Sequence, residues 1–209
     1  MLKLYYAAGT CALASNIALE EAGAKFETVR VDFRSNEQRK PEYLAINPKG
    51  RVPALVTEHG VLTETPALLI YIAQAFPRAG LAPLGDAFAL ARVQAFNSYL
   101  CSTVHVAHAH RMRGYRWADD PAAIEDMQRK VPQSVGECFE LIEREMFAGP
   151  WVMGKTYTVC DPYLFTLARF LEGDGVDPAR FPKVLDFRNR MAHRPAVKRA
   201  LANEKSGEG

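Results

Sequence analysis

The chain has 209 residues, of which 48% are hydrophobic and 24% are charged, and its formal net charge is +2. These values are ordinary for a soluble globular protein, and the small net charge gives no reason to expect nucleic acid or an anionic membrane as a partner. No apolar run approaches the roughly 20 residues of a transmembrane helix, and the first residues pass directly into a strand pattern without signal-peptide architecture.

The first predicted elements are a strand over residues 2–6, a short loop, and a helix over residues 12–22 that stops at Gly23. Cys11 lies immediately before this helix. A thiol at a helix N-terminus is favoured as the thiolate by the helix dipole. Cys11 is therefore either a reactive thiol or a small residue that fills space at a turn.

The next elements complete an alternating pattern. Residues 26–32 form a second predicted strand, Pro41 begins a short helix that runs to residue 46, and residues 54–62 have the pattern of a hairpin. A helix over residues 64–76 follows. The parallel pairing of the first two strands requires a helical crossover, which the helix after Cys11 provides. Residues 1–77 are therefore predicted to form a thioredoxin-like domain.

A candidate peptide-binding slot lies where the predicted hairpin begins. Pro53 lacks an N–H and belongs at a strand start, where its peptide bond is a candidate for the cis form. Val52 is pushed towards an extended conformation, and its backbone can pair with an antiparallel peptide. Glu64 and Thr65 open the next helix, whose unpaired N–H groups suit a carboxylate, although Glu64 alone would also suit the helix dipole. A small peptide such as glutathione needs such a slot beside a carboxylate site.

The rest of the chain is predicted to be helical. Residues 78–85, rich in proline, glycine and alanine, are predicted to form the linker to an all-helical domain over residues 86–202. One long helix is expected over residues 86–113 and another over residues 121–147, with Pro132 producing a kink or a break within the second.

Two further features are predicted near the C-terminus. Thr158 and Asp161 have the spacing of a capping box at the start of a buried helix, which indicates a structural role rather than a catalytic one. Residues 181–191 form the last predicted helix. Residues 203–209 are expected to be a disordered tail.

The motifs taken together resemble a bacterial cytosolic glutathione transferase of the cysteine-type group often called beta class. The order and spacing of these motifs match across essentially the whole chain. The matching segments are Lys3–Tyr6, Gly9–Cys11, Leu44–Gly50, Val52–Pro53, Leu62–Glu64, Ser102, His105 and Tyr157–Phe165. The resemblance implies an α/β thioredoxin-like N-terminal domain followed by an all-α domain, in a cytoplasmic homodimer. Glutathione would be a co-substrate, and no cofactor is implied.

The resemblance also implies which residues form the site. Cys11 and His105 would be catalytic: Cys11 would either donate its S–H to the glutathione thiolate or form a mixed disulfide with glutathione. His105 would donate a hydrogen bond to sulfur, unless it is a buried histidine satisfied by a backbone carbonyl. The implied glutathione-binding residues are Tyr6, Arg51, Val52, Pro53, Glu64, Thr65, Ser98, Ser102, Thr103 and Val104.

Three of these positions are expected to share one helix face. Ser98, Ser102 and His105 are separated by four and three residues, and the resemblance places that face opposite the glutathione slot. Strand alternation lets at most one of Tyr5 and Tyr6 reach the site. The chain departs from the family pattern at Ser98, where asparagine is usual.

Asn36 is a second departure from the family pattern, because it lies near a position where a lysine is usual.

Three functions stay open. The first is conjugation of the glutathione thiolate to a hydrophobic electrophile whose identity the sequence does not reveal. The second is glutathione-dependent thiol–disulfide exchange through Cys11, and the third is a non-catalytic binding or stress protein.

A metal site is not expected. His105 and His108 are one helical turn apart, but His110 falls on another face, and no carboxylate or cysteine lies nearby at a ligand spacing. The four cysteines, at positions 11, 101, 138 and 160, show no disulfide-framework spacing, which fits a reducing cytoplasm.

Overall fold

The computed structural model describes residues 1–206, and they divide into two compact units. The first unit comprises Met1–Leu90 together with the chain from Met191 onward, and the second comprises Ala91–Arg190. None of the helices in the described chain is both long and apolar enough to span a bilayer.

A mixed sheet forms the centre of the first unit. Its described strands are β1 (Leu2–Tyr6), β2 (Phe26–Arg30), β3 (Ala54–Thr57) and β4 (Gly60–Thr63). They lie in the order β2-β1-β3-β4, with β1 parallel to β2 and the other pairs antiparallel. The predicted thioredoxin-like order of strands and hairpin is confirmed.

Three helices accompany this sheet: α1 (Ala12–Glu21), α2 (Pro41–Leu44) and α3 (Thr65–Ala75). α1 buries its apolar side chains completely, including Leu13, Ile17 and Leu19, because it makes the crossover between the two parallel strands. Gly23 follows with φ +64°, a conformation that costs glycine little, and the helix ends there as expected.

The second unit contains most of the remaining helices. The bounds are α4 (Ala87–Tyr99), a π-helical turn (Leu100–Val104), α5 (His105–Arg113), α6 (Pro121–Leu141), a second π-helical turn (Ile142–Met146), α7 (Cys160–Ala168) and α8 (Pro182–Ala192). The helix predicted over residues 86–113 is therefore a continuous helical run, with a π turn near its middle that the sequence did not reveal.

Pro132 does not break the second long helix, since it lies inside α6. Val131, Val135 and Phe139 are buried along one stripe of this helix. Their burial outweighs the hydrogen bond that the proline removes, because tertiary packing commonly overrides local propensity.

The capping box is confirmed. Asp161 Oδ2 accepts a hydrogen bond from the Thr158 N–H at 2.7 Å, and Thr158 Oγ1 accepts one from the Cys160 N–H at 3.3 Å. Asp161 Oδ1 also accepts a hydrogen bond from the Val152 N–H at 2.9 Å, so this buried carboxylate ties the preceding loop to α7. Its role is structural.

The C-terminal part differs from its prediction. A further helix, α9 (Pro195–Ser206), follows α8, so the expectation of a disordered tail is wrong for residues 203–206, whereas residues 207–209 lie outside the described chain. α9 also belongs to the first unit and not to the helical domain predicted over residues 86–202. This placement could not be predicted from the sequence, because a helix pattern does not say which partner its apolar face covers.

Several contacts hold α9 against α1. Arg194 forms a two-pronged ion pair with Glu21 at 2.5 and 2.8 Å, and the Arg199 Nε lies 2.5 Å from a carboxylate oxygen of Glu20. The described C-terminal segment therefore completes the N-terminal unit.

Candidate active site

Cys11 lies at the N-terminus of α1, half-buried, with helical dihedral angles. Its Sγ is 3.6 Å from the carbonyl oxygen of Val52, within the distance of a weak S–H hydrogen bond. The neighbouring Thr10 hydroxyl donates to the Ala7 carbonyl at 2.7 Å and accepts from the Ala12 N–H at 3.3 Å. The hydroxyl of Thr10 thus secures the turn that precedes α1.

The segment before β3 is held rigidly. The Tyr43 hydroxyl and the Asn47 side-chain amide donate to the Arg51 carbonyl at 2.6 and 2.7 Å, and the Val52 side chain is buried in an apolar cluster. The Val52–Pro53 peptide bond is cis, as the sequence suggested. Within residues 1–206 the Val52 N–H has no hydrogen-bond partner. The backbone N–H of Val52, unlike its buried side chain, is therefore available to a hydrogen-bond acceptor.

Glu64 and Thr65 mark the start of α3. Glu64 precedes the helix with φ +73°, an uncommon conformation for a residue other than glycine, and such conformations cluster at functional sites. Its carboxylate is half exposed, whereas Thr65 is buried at the first helical position. Lys49 Nζ lies 2.5 Å from Glu64 Oε1 and 2.7 Å from Thr63 Oγ1. The sequence placed Lys49 within a matching motif but gave it no role.

Tyr6 does not belong to this group, which corrects its assignment as a glutathione-binding residue. Its side chain is buried, and its hydroxyl donates to the Asn203 carbonyl of α9 at 2.9 Å. Burial raises the pKa of Tyr6. Strand alternation directs this side chain towards α9, a helix that the sequence did not predict.

The second unit carries the remaining predicted residues on the helical run from α4 to α5. Ser98, Ser102 and Thr103 are exposed, and the Ser102 hydroxyl donates to the Ser98 carbonyl at 2.8 Å. His105 is half-buried at the start of α5. Val104 is buried in the core, so its side chain is not available to a ligand.

The π turn changes the spacing on which the shared face depended. A π turn contains one residue more than an α turn, so the four- and three-residue separations of Ser98, Ser102 and His105 do not by themselves define a face. Such turns are common at functional sites. Asn97, which sequence reasoning missed, is fully buried, and within residues 1–206 neither atom of its amide group has a hydrogen-bond partner.

His108 and His110 have protein partners of their own. His108 Nδ1 lies 2.8 Å from both carboxylate oxygens of Asp174, and its ring stacks on Phe170 with the centroids 4.4 Å apart. The ring of His110 meets Trp117 edge-on at 4.6 Å. Within the described chain, no three His, Cys, Asp or Glu side chains converge in a way that would hold a metal ion.

Comparison with known proteins identifies relatives over the whole chain. The family model of the glutathione S-transferase N-terminal domain matches residues 1–74, and that of the C-terminal domain matches residues 108–204. Glutathione S-transferase GstA of Escherichia coli is 31% identical over 206 residues, which cover 97% of this chain and 98% of the relative.

Solved structures agree in fold. A glutathione transferase homologue from Sulfitobacter, crystallised with bound glutathione, has 48% sequence identity and a TM-score of 0.94, covering 99% of this chain and 98% of that one. A bacterial beta class glutathione S-transferase from Sphingomonas chungbukensis has 32% identity and a TM-score of 0.84, covering 97% and 98%.

Proposed function

The chain belongs to the glutathione S-transferase family, and from that premise we propose that it binds glutathione and transfers the glutathione sulfur to a hydrophobic electrophile. The observation that carries the proposal lies within the first unit. A half-buried thiol at a helix start, Cys11, is 3.6 Å from the backbone of Val52, which precedes a cis-proline and a rigid strand start.

Glutathione fits the chemistry of this unit. Its cysteinyl backbone would pair with the N–H of Val52, as an added antiparallel strand does. Its α-ammonium group would pair with the Glu64 carboxylate, and the start of α3 at Thr65 would receive its α-carboxylate. The contacts implied for Arg51, Pro53, Ser98, Ser102 and Thr103 stay predictions.

The proposed reaction is a nucleophilic substitution. The thiol of glutathione loses its proton to solvent or to a base, and the thiolate attacks an electrophilic carbon while the leaving group departs with its bonding electron pair. A hydrogen bond from the Cys11 thiol to the glutathione sulfur would stabilise the thiolate, and the fixed position of the tripeptide would supply most of the remaining catalysis.

The presence of a cysteine at this position favours thiol–disulfide exchange as a second candidate. The Cys11 thiolate would attack glutathione disulfide, form a Cys11–glutathione disulfide and release one glutathione thiolate. The thiolate of a different thiol would then attack the glutathione sulfur of the mixed disulfide, releasing the Cys11 thiolate and leaving a disulfide between that thiol and glutathione.

The Cys11→Ala variant separates these reactions. We expect it to abolish glutathione adducts and disulfide exchange while conjugation to chlorodinitrobenzene persists, with Cys138→Ala as a control that changes neither. Intact-mass analysis after treatment with glutathione disulfide measures the adduct. Adducts confined to Cys101, Cys138 and Cys160 would overturn the role of Cys11. If the wild-type protein binds glutathione but turns over neither chlorodinitrobenzene nor glutathione disulfide, it is a non-catalytic binding protein.

Glu64 and His105 are tested by affinity and turnover. Glu64→Ala should weaken glutathione binding by about 1–3 kcal/mol, because a charged partner loses its hydrogen bond. His105→Ala should lower turnover more than glutathione affinity, if His105 donates to the sulfur. A large loss of melting temperature in His105→Ala, with an unchanged pH–rate profile, would instead assign this histidine a structural role.

We also propose that the protein is a cytoplasmic homodimer. The Phe88 side chain is 77% exposed in the single chain, which supports a subunit interface that covers it. None of the four cysteines forms a disulfide within the described chain, which supports the cytoplasmic location. Light scattering should give a mass near twice 23.2 kDa. A monomer at micromolar concentration would contradict the assembly.

A further inference from the structure

Lys49 occupies the position where the ligand's amino group is proposed to bind. Its Nζ lies 2.5 Å from Glu64 Oε1 and 2.7 Å from Thr63 Oγ1. The two charged side chains are 43% and 51% exposed. Ion pairs with this exposure contribute little to folding, so the contact is not required to hold the fold together.

The backbone that carries Lys49 is unusually well fixed for an exposed lysine. Asn47 is buried, its Oδ1 accepts from the Lys49 N–H at 3.2 Å, and its carbonyl accepts from the Gly50 N–H at 2.9 Å. Gly50 has φ +59°, and a Cβ added there would lie 2.9 Å from the Gln38 carbonyl oxygen. The lysine stem therefore rises from a rigid turn directly beside the slot formed by Val52, which lowers the entropy cost of using its ammonium group.

The charges at the start of α3 explain why a lysine is needed there. The γ-glutamyl end of glutathione carries an ammonium and a carboxylate group on one carbon. If Glu64 binds the ammonium, the ligand's carboxylate lies close to the Glu64 carboxylate, and two like charges at such a distance repel. The N-terminus of α3 offsets only part of a unit charge. With two carboxylates and one ammonium group, one negative charge remains uncompensated, and a full positive charge beside Glu64 would balance it.

We propose that Lys49 binds the α-carboxylate of the γ-glutamyl group and exchanges its partner when glutathione arrives. Without ligand, Lys49 pairs with Glu64. With ligand, the ligand's ammonium replaces Lys49 at Glu64, and Lys49 turns to the ligand's carboxylate, so that positive and negative charges alternate. Lys49 thereby selects γ-glutamyl peptides that carry an intact α-amino-acid end. This role rests on the proposed function, since it deepens the same site.

Calorimetry with two ligands tests the proposal. The first ligand is glutathione, and the second is γ-aminobutyryl-cysteinyl-glycine, which keeps the amino group but lacks the α-carboxylate. Lys49→Met should weaken glutathione binding about tenfold, the effect expected for a lost charged hydrogen bond, and leave the affinity for the second ligand unchanged. Lys49→Arg should retain most of the glutathione affinity.

The chain offers a matched control. Lys3 pairs with Glu27 at 3.5 Å with exposed fractions of 42% and 48%, close to those of the Lys49 pair. Lys3→Met should change neither affinity, and all variants should keep the wild-type melting temperature within a few degrees.

Each other outcome has a distinct meaning. Tighter glutathione binding by Lys49→Met would show that Lys49 only competes for Glu64, and equal weakening of both ligands would show that it only shapes the turn; either result overturns the proposal. Unchanged affinity for both ligands would also overturn it, while the proposed function stands. A wild-type protein that binds no glutathione would overturn the proposed function itself.

Discussion

Both carboxylate oxygens of Asp174 lie 2.8 Å from Nδ1 of His108, and the carboxylate is only 1% exposed. Arg111 approaches the same carboxylate at 3.4 Å. The Asp174 side chain therefore ties α5 to the segment that follows α7, and it fixes Nδ1 of His108 as the nitrogen that donates.

Removing this carboxylate should destabilise the second unit. We expect Asp174→Ala to lower the free energy of unfolding by about 3 kcal/mol, because His108 and Arg111 lose the buried carboxylate that pairs with both of them. Urea denaturation measures the change. Asp126→Ala, which breaks only the exposed pair with Arg129, should cost less than about 1 kcal/mol. Similar losses in the two variants would contradict a buried structural role for Asp174.

Tyr6→Phe should affect folding and not binding. The phenylalanine keeps the ring in the core but removes the hydroxyl that donates to the Asn203 carbonyl. We expect a loss of about 1 kcal/mol in the free energy of unfolding, the usual net value of one hydrogen bond, and an unchanged glutathione affinity. Weaker glutathione binding with an unchanged free energy of unfolding would show that the Tyr6 hydroxyl contributes to the glutathione site.

Tyr43 should make stability depend on alkaline pH. Burial raises the pKa of Tyr43 from 10.0 to about 12, and its hydroxyl donates to the Arg51 carbonyl. Below pH 10 this stabilisation is fully present; it is lost as pH rises towards 12, because the unfolded tyrosine ionises first.

The Tyr43→Phe variant checks that dependence. It should be about 1 kcal/mol less stable at neutral pH, through the lost hydrogen bond, and should lose stability less steeply above pH 10. Burial also raises the pKa values of Tyr6 and Tyr99, so some alkaline loss should remain. An alkaline slope identical to that of the wild type would rule out Tyr43 as a contributor.

Asn97 offers a test of the unpaired amide beside the π turn. Asn97→Leu, similar in size, should raise the free energy of unfolding by about 1 kcal/mol, because an unsatisfied buried polar group is removed. Thermal denaturation and conjugation should be measured on the same preparation. A lower melting temperature would show that the amide has a partner, such as an ordered water molecule.

Gly50 should be sensitive to the smallest side chain. Gly50→Ala forces a Cβ to within 2.9 Å of the Gln38 carbonyl oxygen at φ +59°, and we expect a cost of about 1–3 kcal/mol with weaker glutathione binding. Gly85→Ala is the matched control, because an added Cβ there meets nothing within 4 Å. Equal melting temperatures for the two variants would contradict the strain.

Local chemistry made part of this structure predictable. Gly23, Pro53 and Thr158 each act within a few residues, through a left-handed conformation, a missing N–H and a capping hydroxyl, so the sequence revealed the helix end, the strand start and the capping box. Cys11 and Glu64 were located for the same reason, since each adjoins a helix N-terminus.

Distant packing was not predictable. Tyr6 was misassigned because its partner, Asn203, lies almost a whole chain length away, and the pattern of β1 does not reveal what covers each face. Val104 was named among the binding residues through the resemblance alone, and its burial at the end of the π turn could not be foreseen, because one extra residue in a turn leaves no mark in composition or periodicity. Lys49 was overlooked because an exposed lysine ordinarily means only a solvated surface.

The return of α9 to α1 has a consequence for biosynthesis. While the ribosome is still translating the second unit, β1 and α1 are already outside the exit tunnel, but the residues that cover Tyr6 and pair with Glu20 and Glu21 have not been made. The surface of the nascent first unit that α9 covers therefore stays exposed to solvent during this time. The first unit can complete its folding only after α9 has left the tunnel and packed against α1.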